Sequence, residues 1–169
     1  PALDAAAAEA RRPDNVAEAF PGDVTSEEQV ERVRQAVVAR FGRTHILINN
    51  AGVNVRKPVT EFTLAEWRQV MDTNLTGAFL MCRAFLPHMQ GLGYGRIINL
   101  TSIMSHVALA GRSAYAASKA GLLGFTRALA LEVAAEQITV NGISPGPVAT
   151  EMNLPILQNP ELNRQFLAK

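Results

Sequence analysis

A single cysteine, Cys82, excludes an intramolecular disulfide and any metal site built from several thiolates. The three histidines, His45, His88 and His106, stand too far apart for ligand spacing, so no metal is expected. An excess of one charge sign is missing too: 16 basic and 15 acidic residues leave a formal net charge of +1. That removes the electrostatic case for nucleic-acid or membrane-surface binding. No apolar run approaches the ~18 residues of a membrane helix, and the N-terminus lacks the apolar core of a signal peptide. Charged residues are scarce, at 18% against 48% apolar, the opposite of a disordered composition. A soluble, cytoplasmic α/β protein with a sizeable core is expected from 169 residues.

The chain opens at Pro1 rather than Met, on an alanine-rich helical pattern over residues 3–12, and closes on residues 165–169 without a stop signal. It reads as part of a longer protein. Strand and helix patterns then alternate. Residues 17–20 are a short strand candidate before Pro21, Gly22, Asp23 and Val24. Thr25 with Glu28 three residues on fits a capping box, and Val30, Val33, Val37 and Val38 give the following helix its apolar stripe up to Gly42. Residues 44–49 carry consecutive apolar residues, which predicts a strand buried on both faces of a parallel sheet. One helix is expected from Leu64 to His88, capped by Thr63. Residues 95–101 predict another strand, 113–136 a long helix, and 138–143 a fourth strand. The alternation predicts parallel crossovers and an open α/β sheet with helices on both faces. Ligands of such sheets bind beyond the carboxyl ends of the strands. The polar and glycine-rich clusters fall there: Asp23, residues 49–52, Thr101 with Ser102, and residues 145–150.

Chemistry concentrates in residues 102–119. Tyr115 and Lys119 are four apart at the start of a helix, so they share one face. A phenol normally ionises near pH ~10, too high for a base at neutrality. A neighbouring ammonium favours the phenolate, which makes the pair a candidate acid–base device. Taken alone, such a pair is also what a packed Tyr and a solvated Lys look like. Ser102, thirteen residues before Tyr115 at the end of a strand, adds a hydroxyl able to stabilise a substrate oxygen.

Ser102, Tyr115 and Lys119 at this spacing resemble the short-chain dehydrogenase/reductase family. Asn49, Asn50, Ala51 and Gly52 are similar to its motif after the fourth strand, and Asp23 with Val24 to its adenine-contacting pair after the third. Asn74 matches its catalytic Asn, residues 96–99 its fifth strand, and residues 141–146 its sixth-strand motif. The resemblance covers essentially the whole chain. It implies a doubly wound, Rossmann-like, three-layer α/β/α fold, incomplete as given, with residues 1–169 as one partial dehydrogenase domain. It implies that Tyr115 transfers a proton with the substrate oxygen, and that Lys119 tunes Tyr115 and bonds the nicotinamide ribose. Ser102 would hold the substrate oxygen and Asn74 would support a relay water. NAD or NADP is the implied cofactor, contacted by Asp23, Val24, Asn50, Ala51, Gly52, Tyr115, Lys119, Pro145, Gly146, Val148 and Thr150. One departure stands out: no G-x-G-x-x-G phosphate loop occurs, and Gly91, Gly93 and Gly95 have the wrong spacing and follow a helix. The chain would supply only the third to sixth strands of the family's sheet.

Other residues have plainer readings. Cys82 is a buried structural thiol, and Trp67 and Phe79 pack helices. Ala108, Ala110 and Gly111 either line a substrate cleft or make a tight loop. Ala116, Ala117, Ala120, Gly121 and Gly124 allow close helix approach, within the chain or, by the family's pattern, in a homodimer or homotetramer. Residues 148–159, punctuated by Pro155, read as a lid over the site. The expected activity is hydride transfer between NAD(P) and a secondary alcohol or ketone. Arg56, Lys57 and Pro58, with Thr150, Glu151, Met152 and Asn153, are similar to gluconate 5-dehydrogenase-like members, which suggests a small sugar-acid or polyol substrate. Arg56 would bind a carboxylate bidentately; as plain loop charges, Arg56 and Lys57 would be solvated. A 3-oxoacyl thioester on acyl carrier protein is the alternative, favoured by Met104, Val107 and Leu109. A catalytically silent scaffold subunit is the reading of another class; the missing phosphate loop speaks for it, and the intact Ser102, Tyr115 and Lys119 against it.

Overall fold

The computed structural model describes residues 2–146, 148, 158–160 and 164. Helix α1 spans Ala2–Ala10, as its alanines favour. Residues 17–20 form no strand, because no other strand lies beside them among the described residues to complete a ladder. They are fastened to the next helix instead, by Glu18 to Arg40 at 2.6 Å and by Phe20 edge-on to Phe41.

Helix α2 spans Glu27–Phe41 and is capped by Ser26, not by Thr25. The Ser26 hydroxyl accepts from the Gln29 N–H. Thr25 is already engaged, since both its N–H and its hydroxyl donate to Asp23 Oδ1 at 2.8 Å. Strand β1, Ile46–Asn49, is buried on one face only: Leu47 and Asn49 point inward while Ile46 and Ile48 are exposed.

The stretch expected as one helix is broken. Thr63 caps α3, Leu64–Met71, in a reciprocal box with Glu66. A π turn over Asp72–Thr76 follows, then α4, Gly77–Phe85, and a single tight turn at Leu86–His88. Strand β2 is Gly95–Leu100, and α5 is Ser113–Glu132 with a short 3-10 turn after it at Ala134–Glu136. Strand β3, Ile138–Ile143, completes the sheet.

The three strands are parallel in the order β1-β2-β3, a Rossmann-like α/β arrangement. Leu47, Ile97 and Val140 stand in one row across it and meet Cys82, Phe85 and Leu129 from α4 and α5. Burial pushes the Cys82 thiol up to about 11, consistent with a packing role. One row nearer the carboxyl ends, Asn49 donates to Asn99 Oδ1 at 2.8 Å and to Cys82 Sγ, and Asn99 donates to Thr126 Oγ1 at 2.9 Å. This buried polar chain ties β1 and β2 to α4 and α5. It thereby holds the loops leaving β1 and β2 in fixed relation, and the loop leaving β3 is joined to that of β2 where the Ile103 N–H donates to the Pro145 carbonyl.

Candidate active site

Those loops, residues 50–57, 101–112 and 144–146, converge at the carboxyl ends of the strands. The π turn puts Asn74 beneath the first loop. Its Oδ1 accepts from the Val53 N–H at 2.8 Å, and its Nδ2 donates to the Val53 carbonyl and to Ser118 Oγ, both at 2.9 Å. Ser118 in turn donates to the Tyr115 carbonyl at 2.8 Å. Asn74 is 1% exposed, and both its amide protons have protein acceptors. Its visible work is to clamp the loop after β1 onto α5.

Lys119 is 4% exposed, and its ammonium donates to the Leu100 carbonyl at 2.6 Å. It lies 5.8 Å from the centre of the Tyr115 ring, within cation–π reach. Burial pulls its pKa down from 10.5 to about 8. Gly52 makes room for this group: a Cβ there would stand 3.3 Å from Asn74 Oδ1 and 3.5 Å from Lys119 Nζ. Tyr115 is the third residue of α5 and is half-buried.

Ser102 follows β2 and is 7% exposed. Its Oγ accepts from the Met104 N–H at 3.1 Å, and its N–H donates to Ser105 Oγ. Ser105 Oγ donates to the Lys119 carbonyl at 2.9 Å, which moors the Ser102 turn to α5. The Ser102 hydroxyl proton has no protein acceptor among the described residues and is available to a ligand. Asn74, Gly52, Ser102, Tyr115 and Lys119 are therefore gathered in one place.

The other expected residues form an arc away from it. Val24 packs on α4, where Gly77 admits it; a Cβ at Gly77 would lie 2.9 Å from Val24 Cγ2. Val24, Ile48, Asn50, Ala51, Gly77 and Met81 line a cavity of about 70 Å³. Asp23 is exposed at its rim, its carboxylate held below the ordinary range by the Thr25 N–H and then the Thr25 hydroxyl. Pro145 and Gly146 leave β3, with the Pro145 carbonyl accepting from the Ile103 N–H at 3.2 Å, and Val148 is exposed. Thr150 and residues 151–153, and most of the expected lid over 148–159, lie outside the described residues. A nucleotide fits what is present at two points, the Val24 cavity and the Lys119 cradle under Gly52. The chain offers no glycine-rich loop for the phosphates between them.

Two findings change the reading of the basic residues. Lys57 is not available to a substrate: its ammonium bonds Glu66 Oε1 at 2.6 Å and lies over the Phe62 ring. Glu66 is drawn down to about 2, first by Lys57 and then by Thr63. Arg112, which the motifs do not pick out, is half-buried one turn before Tyr115. Its one sequence signal is that three-residue spacing. No helix among the described residues is long and apolar enough to cross a membrane, and no three of their metal-ligating side chains come together.

A sequence model of the short chain dehydrogenase family matches residues 1–161. The chain is 41% identical over 130 residues to a 3-oxoacyl-acyl-carrier-protein reductase of Vibrio cholerae, covering 77% of this chain and 53% of that protein. Among solved structures, a candidate gluconate dehydrogenase from Agrobacterium tumefaciens superposes with a TM-score of 0.90 at 38% identity, covering 95% of this chain and 63% of that one. A gluconate 5-dehydrogenase from Burkholderia cenocepacia, in complex with NADP and tartrate, gives a TM-score of 0.81 at 33% identity over 85% of this chain and 56% of that one. The chain thus spans between half and two-thirds of the length of these relatives.

Proposed function

The chain belongs to the short-chain dehydrogenase family, and from that premise we propose that it carries the catalytic centre of an NAD(P)-dependent oxidoreductase interconverting a secondary alcohol and a ketone. The observation that carries this reading is the buried Lys119 ammonium over the Tyr115 ring, with a Ser102 hydroxyl moored to the same helix and its proton without an acceptor among the described residues. A scaffold subunit has no use for a buried cation kept beside a phenol at the cost of its desolvation.

In the direction of ketone reduction, Tyr115 gives its phenolic proton to the carbonyl oxygen as that oxygen gains charge, and in oxidation it takes the proton back. Ser102 donates its hydroxyl proton to the same oxygen and fixes its position. Lys119 keeps a positive charge beside the ring and has two further ammonium protons for a ribose hydroxyl. Asn74 holds the loop that roofs Lys119, and its remaining Oδ1 lone pair suits a relay water. NAD or NADP supplies or accepts the hydride when bound. Asp23, Val24, Asn50 and Ala51 suit its adenosine end, Gly52 suits the ribose beside Lys119, and Pro145, Gly146, Val148 and Thr150 suit its nicotinamide end.

For substrate, a sugar acid or polyol is the leading class, supported by Arg56 on the loop after β1 and by the gluconate dehydrogenases among the solved relatives. A 3-oxoacyl thioester on acyl carrier protein is the competing substrate, supported by the exposed Ile103 and Val107 on the Ser102 turn and by the Vibrio cholerae relative. The protein works in the cytoplasm as a homodimer or homotetramer joined through α4 and α5, where Phe79 and Leu131 are exposed. Following NADH and NADPH with the whole protein, against sugar acids and acetoacetyl thioesters side by side, tests the reading. Turnover of neither class with either cofactor would overturn it. A thioester preference of about tenfold in kcat/KM, about 1.4 kcal/mol, would reassign the substrate.

A further inference from the structure

Two arginines from different loops come within electrostatic reach of each other and of Tyr115. Gly111, with φ +73°, lays the start of α5 against the first loop, so that a Cβ there would stand 3.8 Å from the Lys57 backbone. This brings Arg112 beside Arg56, the neighbours of those two residues. Both side chains are half-buried. Burial, and then the charge of Arg56, push the Arg112 guanidinium below its ordinary value, while Tyr115 acts on both arginines in the opposite sense. Arg112 makes no side-chain hydrogen bond or ion pair among the described residues, in contrast to Arg34, Arg40 and Arg83, each of which has a glutamate. A fold gains nothing from holding a partly desolvated cation that no described residue pairs. An anion at Arg112 offsets that cost, and a planar guanidinium matches a carboxylate through two parallel hydrogen bonds.

We infer that Arg112 is a specificity-determining residue: with Arg56 it grips a substrate carboxylate beside Tyr115 and selects hydroxy and keto acids over their neutral counterparts. Arg112 and Tyr115 are three residues apart on one helix, so the carboxylate and the reacting oxygen are read by a single rigid element. Lys57, fixed to Glu66, holds the Arg56 loop and does not compete for the acid. The inference rests on the reading of Tyr115 as the acid–base residue and narrows it to one substrate class. It also weighs against the thioester alternative, whose group beside the reacting carbonyl is uncharged.

Calorimetric binding of matched pairs to the whole protein, together with turnover, tests this. The pairs are gluconate with glucitol, lactate with propane-1,2-diol, and acetoacetate with acetone. At least one acid should bind tenfold or more tightly than its neutral partner. Arg112→Gln should erase that difference and leave the neutral partner's affinity unchanged, and Arg112→Lys should restore part of it. In the unmutated protein, sulfate should weaken binding of the acid and not of the neutral compound, a readout independent of how the variants fold. Equal affinities within every pair, or a preference that Arg112→Gln leaves intact, overturns the inference. Absence of turnover with the acid preference present defeats the dehydrogenase reading alone, whereas turnover without acid preference defeats this inference alone.

Discussion

The Lys119 ammonium lies 5.8 Å from the centre of the Tyr115 ring and is anchored by the Leu100 carbonyl at 2.6 Å. The lysine thus reads the end of β2 while charging the face of the tyrosine. A shift of β2 relative to α5 would be felt directly at the phenol. The Asn49–Asn99–Thr126 chain, which joins those elements, prevents it.

Tyr115→Phe removes the transferable proton and nothing that the fold uses, since Tyr115 contributes its main-chain carbonyl, not its hydroxyl, to Ser118. Turnover should fall by at least a thousandfold, within the range expected for losing a general acid. The thermal midpoint should stay within a few degrees. A variant retaining a tenth of the original kcat would remove Tyr115 from the mechanism.

Some of this was legible in the residue order and some was not. Strands β2 and β3 were readable because β-branched runs such as residues 138–143 stop at glycine and proline. Residues 17–20 also stop at proline and glycine but carry no β-branched residue, and a strand needs a partner besides, which is not a local property. The π turn at Asn74 adds a residue to a helical turn without disturbing the apolar spacing on either side, so the pattern reads straight through it. Ser102, Tyr115 and Lys119 were singled out by their spacing only together with the resemblance to the short-chain dehydrogenase/reductase family. The pairing of Lys57 escaped notice because Glu66 reaches it across a nine-residue step, and Arg112 because its neighbour Arg56 lies on another loop.

Lys119→Met should lower kcat and change the pH–rate profile, because the site loses the buried, titrating ammonium beside the Tyr115 ring. In the unmutated protein the lysine itself loses its proton near pH 8, so the difference between the two enzymes should narrow above that pH. Steady-state rates between pH 6 and 10 check this. Superimposable profile shapes would confine Lys119 to holding ribose.

Gly52→Val should cripple the site without unfolding the protein. A Cβ already meets Asn74 Oδ1 at 3.3 Å and Lys119 Nζ at 3.5 Å, and a branched side chain has no space between them. Either the Asn74–Val53 clamp opens or the ammonium moves off the Tyr115 ring. The expected loss is tenfold or more in kcat, with about 1–3 kcal/mol of stability from the strained contacts. Denaturant titration and kinetics on the same sample separate the two, and an unchanged kcat would show that the loop yields freely.

The burial of Lys119 should also appear in the pH dependence of folding. Its pKa falls from 10.5 when unfolded to about 8 in the folded chain. Between those values the unfolded chain still holds the proton and the folded one has released it, so stability rises with pH across this window. Below about pH 8 both states are protonated and the full cost of the buried charge is present. Above 10.5 both are neutral and the cost is gone. Lys119→Met has no such proton to lose. Whatever the two proteins' absolute stabilities at pH 7, the unmutated one should gain on the variant by about 3 kcal/mol between pH 7 and 10.5. The comparison cancels groups that titrate alike in both chains. Urea midpoints for both proteins, taken at half-unit steps, would show the gap closing or reversing. A gap independent of pH would mean that the Lys119 ammonium is as well solvated in the fold as in the open chain, and with it would go the argument that the site keeps a desolvated cation beside its tyrosine.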